Sequence, residues 1–157
     1  MITFRSHERI DIPYRVKWLN NKNVNIFAVE NPELKTTVAE QENWFNNYEE
    51  KLKLRQKKFF TILDDDKPIG FVGLSNIDLD KKEAGVFIMI GEDEYRGKGI
   101  GKQTLDFLLL YASKELGLNA LTLEVNKQNE PAIHLYQSRG FKQTGDLGKE
   151  LAMRLLW

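Results

Sequence analysis

Residues 86–102 combine an apolar strand, a glycine-rich turn and the start of a helix, and this stretch constrains the fold more than any other. Residues 86–90 form an unbroken apolar run rich in β-branched side chains, which is typical of a strand buried on both faces. Glycines then recur at alternate positions, at Gly97, Gly99 and Gly101. Because glycine has no side chain, a backbone with this pattern can approach a ligand closely.

An anion is the ligand that this turn favours. The first amides of a helix have no partner within the helix, and the helix dipole adds partial positive charge there. Arg96, Lys98 and Lys102 contribute three cationic side chains. A Walker loop does not fit, because arginine occupies the place of its first glycine and Gln103 the place of its hydroxyl residue. The spacing Gly-x-Gly-x-Gly also departs from the dinucleotide fingerprint.

Length and charge limit the class of protein. A chain of 157 residues is long enough for one domain with a substantial core, and we predict a single domain over residues 1–157. The 23 basic and 23 acidic side chains cancel, so no overall field draws the chain to nucleic acid or to an anionic membrane. No apolar run approaches the roughly 20 residues of a membrane span, and the N-terminus lacks a signal-peptide profile. We expect a cytoplasmic protein that binds neither nucleic acid nor membrane.

Cysteine and histidine are scarce. The chain has no cysteine, which excludes disulfides, a thiolate nucleophile and thiolate metal sites. The two histidines, His7 and His134, lie far apart in the sequence, so a histidine-rich metal site is not expected. We therefore predict that the protein uses no metal.

The N-terminal third predicts a short strand, two helices and a loop. Residues 3–5 form a candidate strand, and residues 13–20 form a candidate helix. Residues 20–32 are rich in asparagine, which favours turns, and we predict a loop there. Thr37 begins a capping box, and apolar residues at helical spacing follow, which predicts a long helix to about Lys57.

The middle of the chain predicts a β-meander that leads into a parallel crossover. Residues 58–63, 69–77 and 83–90 are rich in β-branched and aromatic side chains and are separated by polar turns. Consecutive strands with short turns pair antiparallel. Apolar residues at helical spacing up to Gly117 predict a helix, and the alternation in residues 121–125 predicts a strand parallel to the one before the glycines.

The last part of the chain predicts one more helix and two strands. Asn129 is well placed as a helix N-cap, Pro131 is tolerated in a first turn, and Gly140 ends the helix. Strands are predicted at residues 141–144 and 151–156. The predicted fold class is therefore α+β, an antiparallel meander whose sheet becomes parallel at one point in its middle.

Two segments resemble the signatures of a known family. Residues 96–101, Arg-Gly-Lys-Gly-Ile-Gly, match the pyrophosphate signature Gln/Arg-x-x-Gly-x-Gly/Ala at every defining position. Residues 129–141, Asn-x-x-Ala-Ile-x-Leu-Tyr-x-x-x-Gly-Phe, match a second signature at the expected distance. Over residues 58–157 the chain thus resembles the GNAT family of acetyl-CoA-dependent N-acetyltransferases. The N-terminal third resembles the RimJ/RimL-like branch more loosely, through residues 18–20 and the start of the long helix.

The resemblance implies a GNAT-type mixed β-sheet with helices on both faces, whose fourth and fifth strands splay apart around acetyl-CoA. The fourth strand would pair with the pantetheine arm, the glycine turn would hold the pyrophosphate, and Asn129 would contact the arm. The cofactor-binding residues implied in this way are Ile88, Met89, Ile90, Arg96, Gly97, Lys98, Gly99, Ile100, Gly101, Lys102 and Asn129. Asn129 is equally well explained as a helix cap.

The resemblance also implies direct transfer of an acetyl group to an amine, with Tyr136 as the general acid for the departing sulfur. A primary amine has a pKa near ~10, so a base or a water chain must take its proton. Many relatives carry a glutamate on the fourth strand at the position of Gly85. Glu83, two residues earlier on the same strand face, is the nearest replacement. The alternatives are water in place of Glu83, and a core aromatic role for Tyr136.

The predicted acceptor is a small-molecule amine or a peptide N-terminus. Trp18, Trp44 and Phe45 are candidate substrate-binding residues, because aromatic side chains can enclose a small amine, and core packing is the alternative explanation. Residues 58–95 hold nine acidic and four basic side chains, which favours a cationic acceptor such as a polyamine. An idle CoA-binding sensor or scaffold remains an alternative function. The sequence does not distinguish a monomer from a homodimer.

Overall fold

A computed structural model describes residues 1–27 and 33–157. In chain order the elements are β1 (Ile2–Ser6), α1 (Ile12–Leu19), α2 (Lys22–Asn25), α3 (Val38–Lys53), β2 (Lys58–Asp64), β3 (Lys67–Asp78), β4 (Glu83–Ile90), α4 (Ile100–Lys114), β5 (Ala120–Asn126), α5 (Glu130–Ser138), β6 (Lys142–Asp146) and β7 (Glu150–Leu156). Short 3₁₀ turns at Arg9–Asp11 and Asp93–Tyr95 precede α1 and follow β4.

The strands form one seven-stranded sheet in the order β1-β2-β3-β4-β5-β7-β6. Neighbouring strands are antiparallel except β4 and β5, which are parallel. The antiparallel meander and the single parallel step were both predicted, and the α+β fold class is confirmed.

Helices cover both faces of the sheet, and the two cores differ in composition. Alternate residues of β4 point to opposite faces, so Val86, Ile88 and Ile90 pack into one core while Phe87 and Met89 pack into the other. The first core, which we call the aliphatic core, lies under α4 and α5 and contains mainly leucine, isoleucine and valine. The second, the aromatic core, lies under α1 and α3 and is dominated by phenylalanine, tyrosine and tryptophan side chains.

Several element boundaries differ from the predictions, among them those of α3 and of the turn between β2 and β3. Helix α3 ends at Lys53 rather than near Lys57, because Arg55 adopts a left-handed conformation with φ of 58° and turns the chain out of the helix. Strands β2 and β3 extend into the predicted turn and leave only two residues, Asp65 and Asp66, between them.

The predicted loop over residues 20–32 begins with the short helix α2, in which the Asn21 side chain accepts a hydrogen bond from the Asn23 amide at 3.0 Å. Residues 28–32 of that predicted loop lie outside the described residues. Across the two described ranges, no helix combines the length and the apolar character that a membrane crossing requires.

Candidate active site

A gap opens between β4 and β5 beyond the first three residues of β4. The two strands pair only from Glu83 with Ala120 to Gly85 with Thr122. Beyond this point β4 stays paired with β3 up to Ile90, and β5 stays paired with β7 along its whole length, so each strand follows its outer neighbour. The facing edges of the two strands therefore carry backbone groups that an extended ligand can pair with, as in strand addition.

The glycine turn lies where β4 leads into α4. Gly97 and Gly99 have φ values of 74° and 79°, and no atom lies within 4 Å of the position that a Cβ would occupy at either residue. Gly101 differs, because a Cβ there would lie 3.1 Å from a methyl group of Leu135 on α5. The first two glycines thus give an open, left-handed turn, and the third allows α4 to pack closely on α5.

The N-terminus of α4 has the features of an anion site. Gly99 is the N-cap and has no side chain to satisfy the first-turn amides. Lys98 and Lys102 form no salt bridge with any carboxylate in the described part of the chain. Arg96 pairs with Asp93 and donates to the Ile90 carbonyl at 3.2 Å. Free amides, a helix dipole and two unpaired lysines together suit a pyrophosphate.

Tyr136 lies on α5 with only 8% of its surface exposed, and its ring centre is 5.5 Å from that of Phe141. Burial raises the pKa of Tyr136 to about 12, so its hydroxyl stays protonated at neutral pH and can donate a proton or a hydrogen bond. Asn129 caps the same helix, since its side chain accepts from the Ala132 amide at 3.4 Å. The second sequence signature therefore folds as one capped helix against the aliphatic core.

Glu83 begins β4, within the part of the strand that still pairs with β5. Its carboxylate lies 3.2 Å from the guanidinium of Arg154 on β7. This ion pair holds the carboxylate on the sheet. The pair uses Oε2 of Glu83, so any role as a base would be carried out beside a positive charge.

The three aromatic candidates for acceptor binding belong to the aromatic core. Trp18 and Phe45 are 0% and 1% exposed, so neither presents a surface to an acceptor in this structure. Trp18 packs on the end of β4, where a Cβ on Gly91 would lie 2.2 Å from its ring. Trp44 is half-buried, and the Arg15 guanidinium lies 3.8 Å from its ring centre.

A buried polar network, which the sequence analysis missed, crosses the aromatic core. Arg15 donates to Nε2 of His7 at 3.0 Å, so Nδ1 of His7 carries the proton and donates to Thr61 at 2.7 Å. Thr61 in turn donates to Asp11 at 2.8 Å, and Arg5 donates both of its terminal nitrogens to the same carboxylate. The spacing of four residues between His7, Asp11 and Arg15 is the signal that could have revealed it.

The causes of the pKa shifts agree with this pairing. Burial alone would raise the pKa of Asp11, but hydrogen bonds from His7, Arg5 and other donors hold it well below its usual range. Burial lowers the pKa of His7 and keeps its ring neutral. Burial also lowers the pKa of Arg15 to about 10, which leaves it charged at neutral pH. Among the described residues, no three His, Cys, Asp or Glu side chains are grouped so that they could hold a metal ion.

Comparison with known proteins gives a consistent family. The sequence model of the acetyltransferase (GNAT) family matches residues 20–141. The spermidine N(1)-acetyltransferase of Vibrio cholerae is 29% identical over 150 residues, which cover 95% of this chain and 83% of that protein.

Solved structures agree with the sequence match. A crystal structure of the Vibrio cholerae spermidine N-acetyltransferase with CoA and spermine is 27% identical, covers 99% of this chain and 95% of its own, and has a TM-score of 0.87. A dodecameric structure of that enzyme is 26% identical over 99% of this chain and 93% of its own, with a TM-score of 0.78. RimL, a ribosomal L7/L12 N-acetyltransferase, has a TM-score of 0.85 over 99% and 93% of the two chains at 14% identity, which indicates a shared fold alone.

Proposed function

We infer that this chain, which belongs to the acetyltransferase (GNAT) family and is an N-acetyltransferase, moves the acetyl group of acetyl-CoA onto a primary amine of a polyamine. The observation that carries this proposal is the 29% identity to the Vibrio cholerae spermidine N(1)-acetyltransferase along 95% of the chain. The acidic excess of residues 58–95 supports a cationic acceptor over an anionic one.

Acetyl-CoA is the cosubstrate that the family uses, and the residues of the gap fit it. We propose that the free edge of β4 at Ile88, Met89 and Ile90 pairs with the pantetheine arm. The pyrophosphate would be held by the amides that follow Gly99 and by Lys98 and Lys102. In the described residues neither lysine forms a salt bridge and no side chain caps the amides, which supports their availability to a ligand. No metal takes part in the proposed reaction.

The proton steps fall to Tyr136 and to a base. The neutral hydroxyl of Tyr136, buried and with a pKa of about 12, would donate to the thiolate that leaves as the carbon–sulfur bond breaks. The amine loses its proton as the carbon–nitrogen bond forms, and Glu83 or water takes it. Because Arg154 pairs with Glu83, we favour water as the immediate acceptor of the proton, with Glu83 as a nearby negative charge. The chain has no cysteine, so transfer is direct rather than through an acyl-cysteine.

Three further properties belong to this proposal. Residues 1–157 would form one domain, because a single sheet includes strands from both ends of the chain. Assembly into a homodimer or a larger oligomer is supported by the dodecameric structure of the Vibrio cholerae relative. We propose the cytoplasm as its location. We also propose that the protein acts as a polyamine acetyltransferase and does not belong to the RimJ/RimL-like branch, since the RimL likeness concerns the fold alone.

The experiment that tests the acceptor is a thiol-release assay with acetyl-CoA over a panel of amines. The panel contains spermidine, spermine, a monoamine of similar length, a peptide with a free N-terminus and an anionic amino sugar. We expect kcat/KM for spermidine to exceed that of the monoamine and the peptide by about 10-fold or more, a difference of about 1.4 kcal/mol in transition-state binding. Mass spectrometry should find one added acetyl group. A preference for the peptide would contradict the polyamine proposal, and acetyl-CoA binding without turnover of any amine would indicate an idle module.

A further inference from the structure

Asp93 lies between the two parts of the molecule that the proposed reaction must bring together. One oxygen of its carboxylate pairs with Arg96, the first residue of the pyrophosphate signature. Asn21 donates its side-chain amide to that same oxygen at 3.0 Å, and Asn23 donates to the other oxygen at 3.3 Å. A single exposed carboxylate thus connects the glycine turn to a segment about seventy residues earlier in the sequence.

That segment, α1 and α2, is fixed to the end of β4 by two further contacts. Lys17 on α1 donates to the Glu92 carboxylate at 2.8 Å. Trp18 fills the space above Gly91 and leaves no room there for a side chain. Helix α2, which holds Asn23, therefore lies beside the turn that follows β4. Asn21, the N-cap of α2, and Asn23 both donate their side-chain amides to Asp93.

The other partner of Asp93 is a group that a bound pyrophosphate would also attract. Arg96 is half-buried and already donates to the Ile90 carbonyl, so its guanidinium is held close to the end of β4. Hydrogen bonds from Arg96, Asn21 and Asn23 lower the pKa of Asp93, so it is a full negative charge at neutral pH. This charge opposes a phosphate at the neighbouring turn, and it competes with phosphate oxygens for Arg96.

We propose that Asp93 is a positioning residue that couples the two substrate sites: it anchors the α1–α2 segment for the acceptor and restrains Arg96 from the pyrophosphate. The acceptor half of this inference rests on the proposed function and places the acceptor beside the α1–α2 segment, which contacts the turn after β4 through Asn21 and Asn23. Two opposite effects follow from one carboxylate. It strengthens binding of the amine and weakens binding of acetyl-CoA. When phosphate oxygens take over Arg96, Asp93 retains only its asparagine partners, which favours binding of acetyl-CoA before the amine.

The test is Asp93→Asn, which keeps the shape of the side chain and removes its charge. Calorimetry should show that acetyl-CoA binds about fivefold more tightly, and steady-state kinetics should show that KM for the acceptor rises by about fivefold, the scale of one exposed ion pair. In an Arg96→Ala background the gain in acetyl-CoA affinity should shrink to the part that comes from the Asp93 charge alone, while the loss for the acceptor remains. If Asp93 had only a structural role, its substitution would weaken the binding of acetyl-CoA and of the acceptor together.

Glu94→Gln is the matched control. Glu94 is the next residue, is exposed and pairs with Lys67 at 2.6 Å rather than with Arg96 or the asparagines. The substitution Glu94→Gln removes the same charge as Asp93→Asn. Neither the acetyl-CoA dissociation constant nor the KM for the acceptor should change by more than about twofold. Asn23→Ala should raise only the KM for the acceptor, which provides a second test if Asp93→Asn folds poorly.

The coupling would be overturned if Asp93→Asn weakened, or strengthened, the binding of both acetyl-CoA and the acceptor. It would also be overturned if Glu94→Gln had the same effects as Asp93→Asn. The acetyl-CoA titration needs no acceptor, and the kinetic half uses whichever amine the wild type acetylates. Failure of spermidine as a substrate would therefore count against the proposed function and not against Asp93.

Discussion

The glycine turn after β4 and the N-terminal layer over the aromatic core both contain charged groups. In the part of the chain that the structure describes, these groups lack salt-bridge partners at the lysines of the turn and are buried and paired in the N-terminal layer. Lys98 and Lys102 are exposed and form no salt bridge among the described residues, and no side chain caps the first amides of α4. In the N-terminal layer His7 and Asp11 are buried, and each has several partners. Unpaired polar groups on a rigid helix end are available to a ligand, whereas buried and fully paired groups hold a structure together. The difference predicts that changes in the two regions separate binding from stability.

The largest expected effect is on stability, from Asp11→Ala. This change leaves Arg5 and Thr61 without their shared acceptor in a buried site and breaks the chain of hydrogen bonds that continues to His7, and it should lower the free energy of unfolding by about 3–5 kcal/mol. Urea unfolding followed by circular dichroism measures it. Glu49→Gln, in an exposed pair with Arg9, is the control and should cost less than about 1 kcal/mol. An equally small loss for both variants would show that the network does not stabilise the fold.

The next effect is on the chemical step, from Tyr136→Phe. Removing the hydroxyl should lower kcat on the order of 10²-fold, because the proton donor is lost, while acetyl-CoA affinity by calorimetry stays the same. Tyr111→Phe on α4 is the control and should leave kcat unchanged. If Tyr136→Phe retains its kcat, then Tyr136 is a core aromatic only. Because its pKa is about 12, wild-type kcat should not fall through ionisation of Tyr136 below about pH 11.

A third variant pair separates strain from binding at the two ends of α4. Gly99 and Gly117 have φ values of 79° and 64°, and at both of them a Cβ would meet nothing within 4 Å. Alanine at either position should cost about 1–2 kcal/mol of stability, because an L-residue is strained there. Only Gly99→Ala should also weaken acetyl-CoA binding, by about 10-fold, since its side chain would stand where the pyrophosphate approaches. Equal acetyl-CoA affinities in the two variants would remove the pyrophosphate from this turn.

The smallest effect is a pH dependence that only the N-terminal layer should show. Burial places the folded pKa of His7 below its unfolded value of 6.5, so the unfolded chain binds more protons between these values. The contribution of His7 to the free energy of unfolding should therefore be constant above about pH 6.5 and fall as the pH drops toward the folded pKa. His7→Gln should flatten this slope, and His134→Gln, at an exposed site, should not. A slope that persists in His7→Gln would assign it to other groups.

The contrast between the two regions also explains which features the sequence could predict. Strand β4, its glycines and α4 follow one another directly, so alternation, turn residues and helical spacing suffice to predict them. The capped helix α5, with Asn129 and Tyr136, is equally local. These short-range patterns gave the antiparallel meander and the parallel step at β4 and β5, which the structure confirms.

Long-range contacts set the features that the sequence did not reveal. The network of His7, Asp11 and Thr61 depends on β2 lying beside the N-terminal turn, which no local pattern encodes. Burial of Trp18 likewise depends on Gly91 in another element. The splay of β4 from β5 was inferred from family resemblance alone, because it arises from the competing pairings with β3 and β7. The end of α3 was misplaced because an arginine, not a glycine, adopts the left-handed turn.

The most direct test of the account is amide hydrogen exchange with and without saturating acetyl-CoA, since its central claim is that the unpaired amides of the glycine turn hold the pyrophosphate. Peptides that cover residues 97–103 should exchange at least about 10-fold more slowly in the complex, because the first amides of α4 gain phosphate acceptors. Peptides from β1 and β2 should not change. If calorimetry shows saturation while residues 97–103 exchange as fast as before, acetyl-CoA binds elsewhere and the central claim is contradicted.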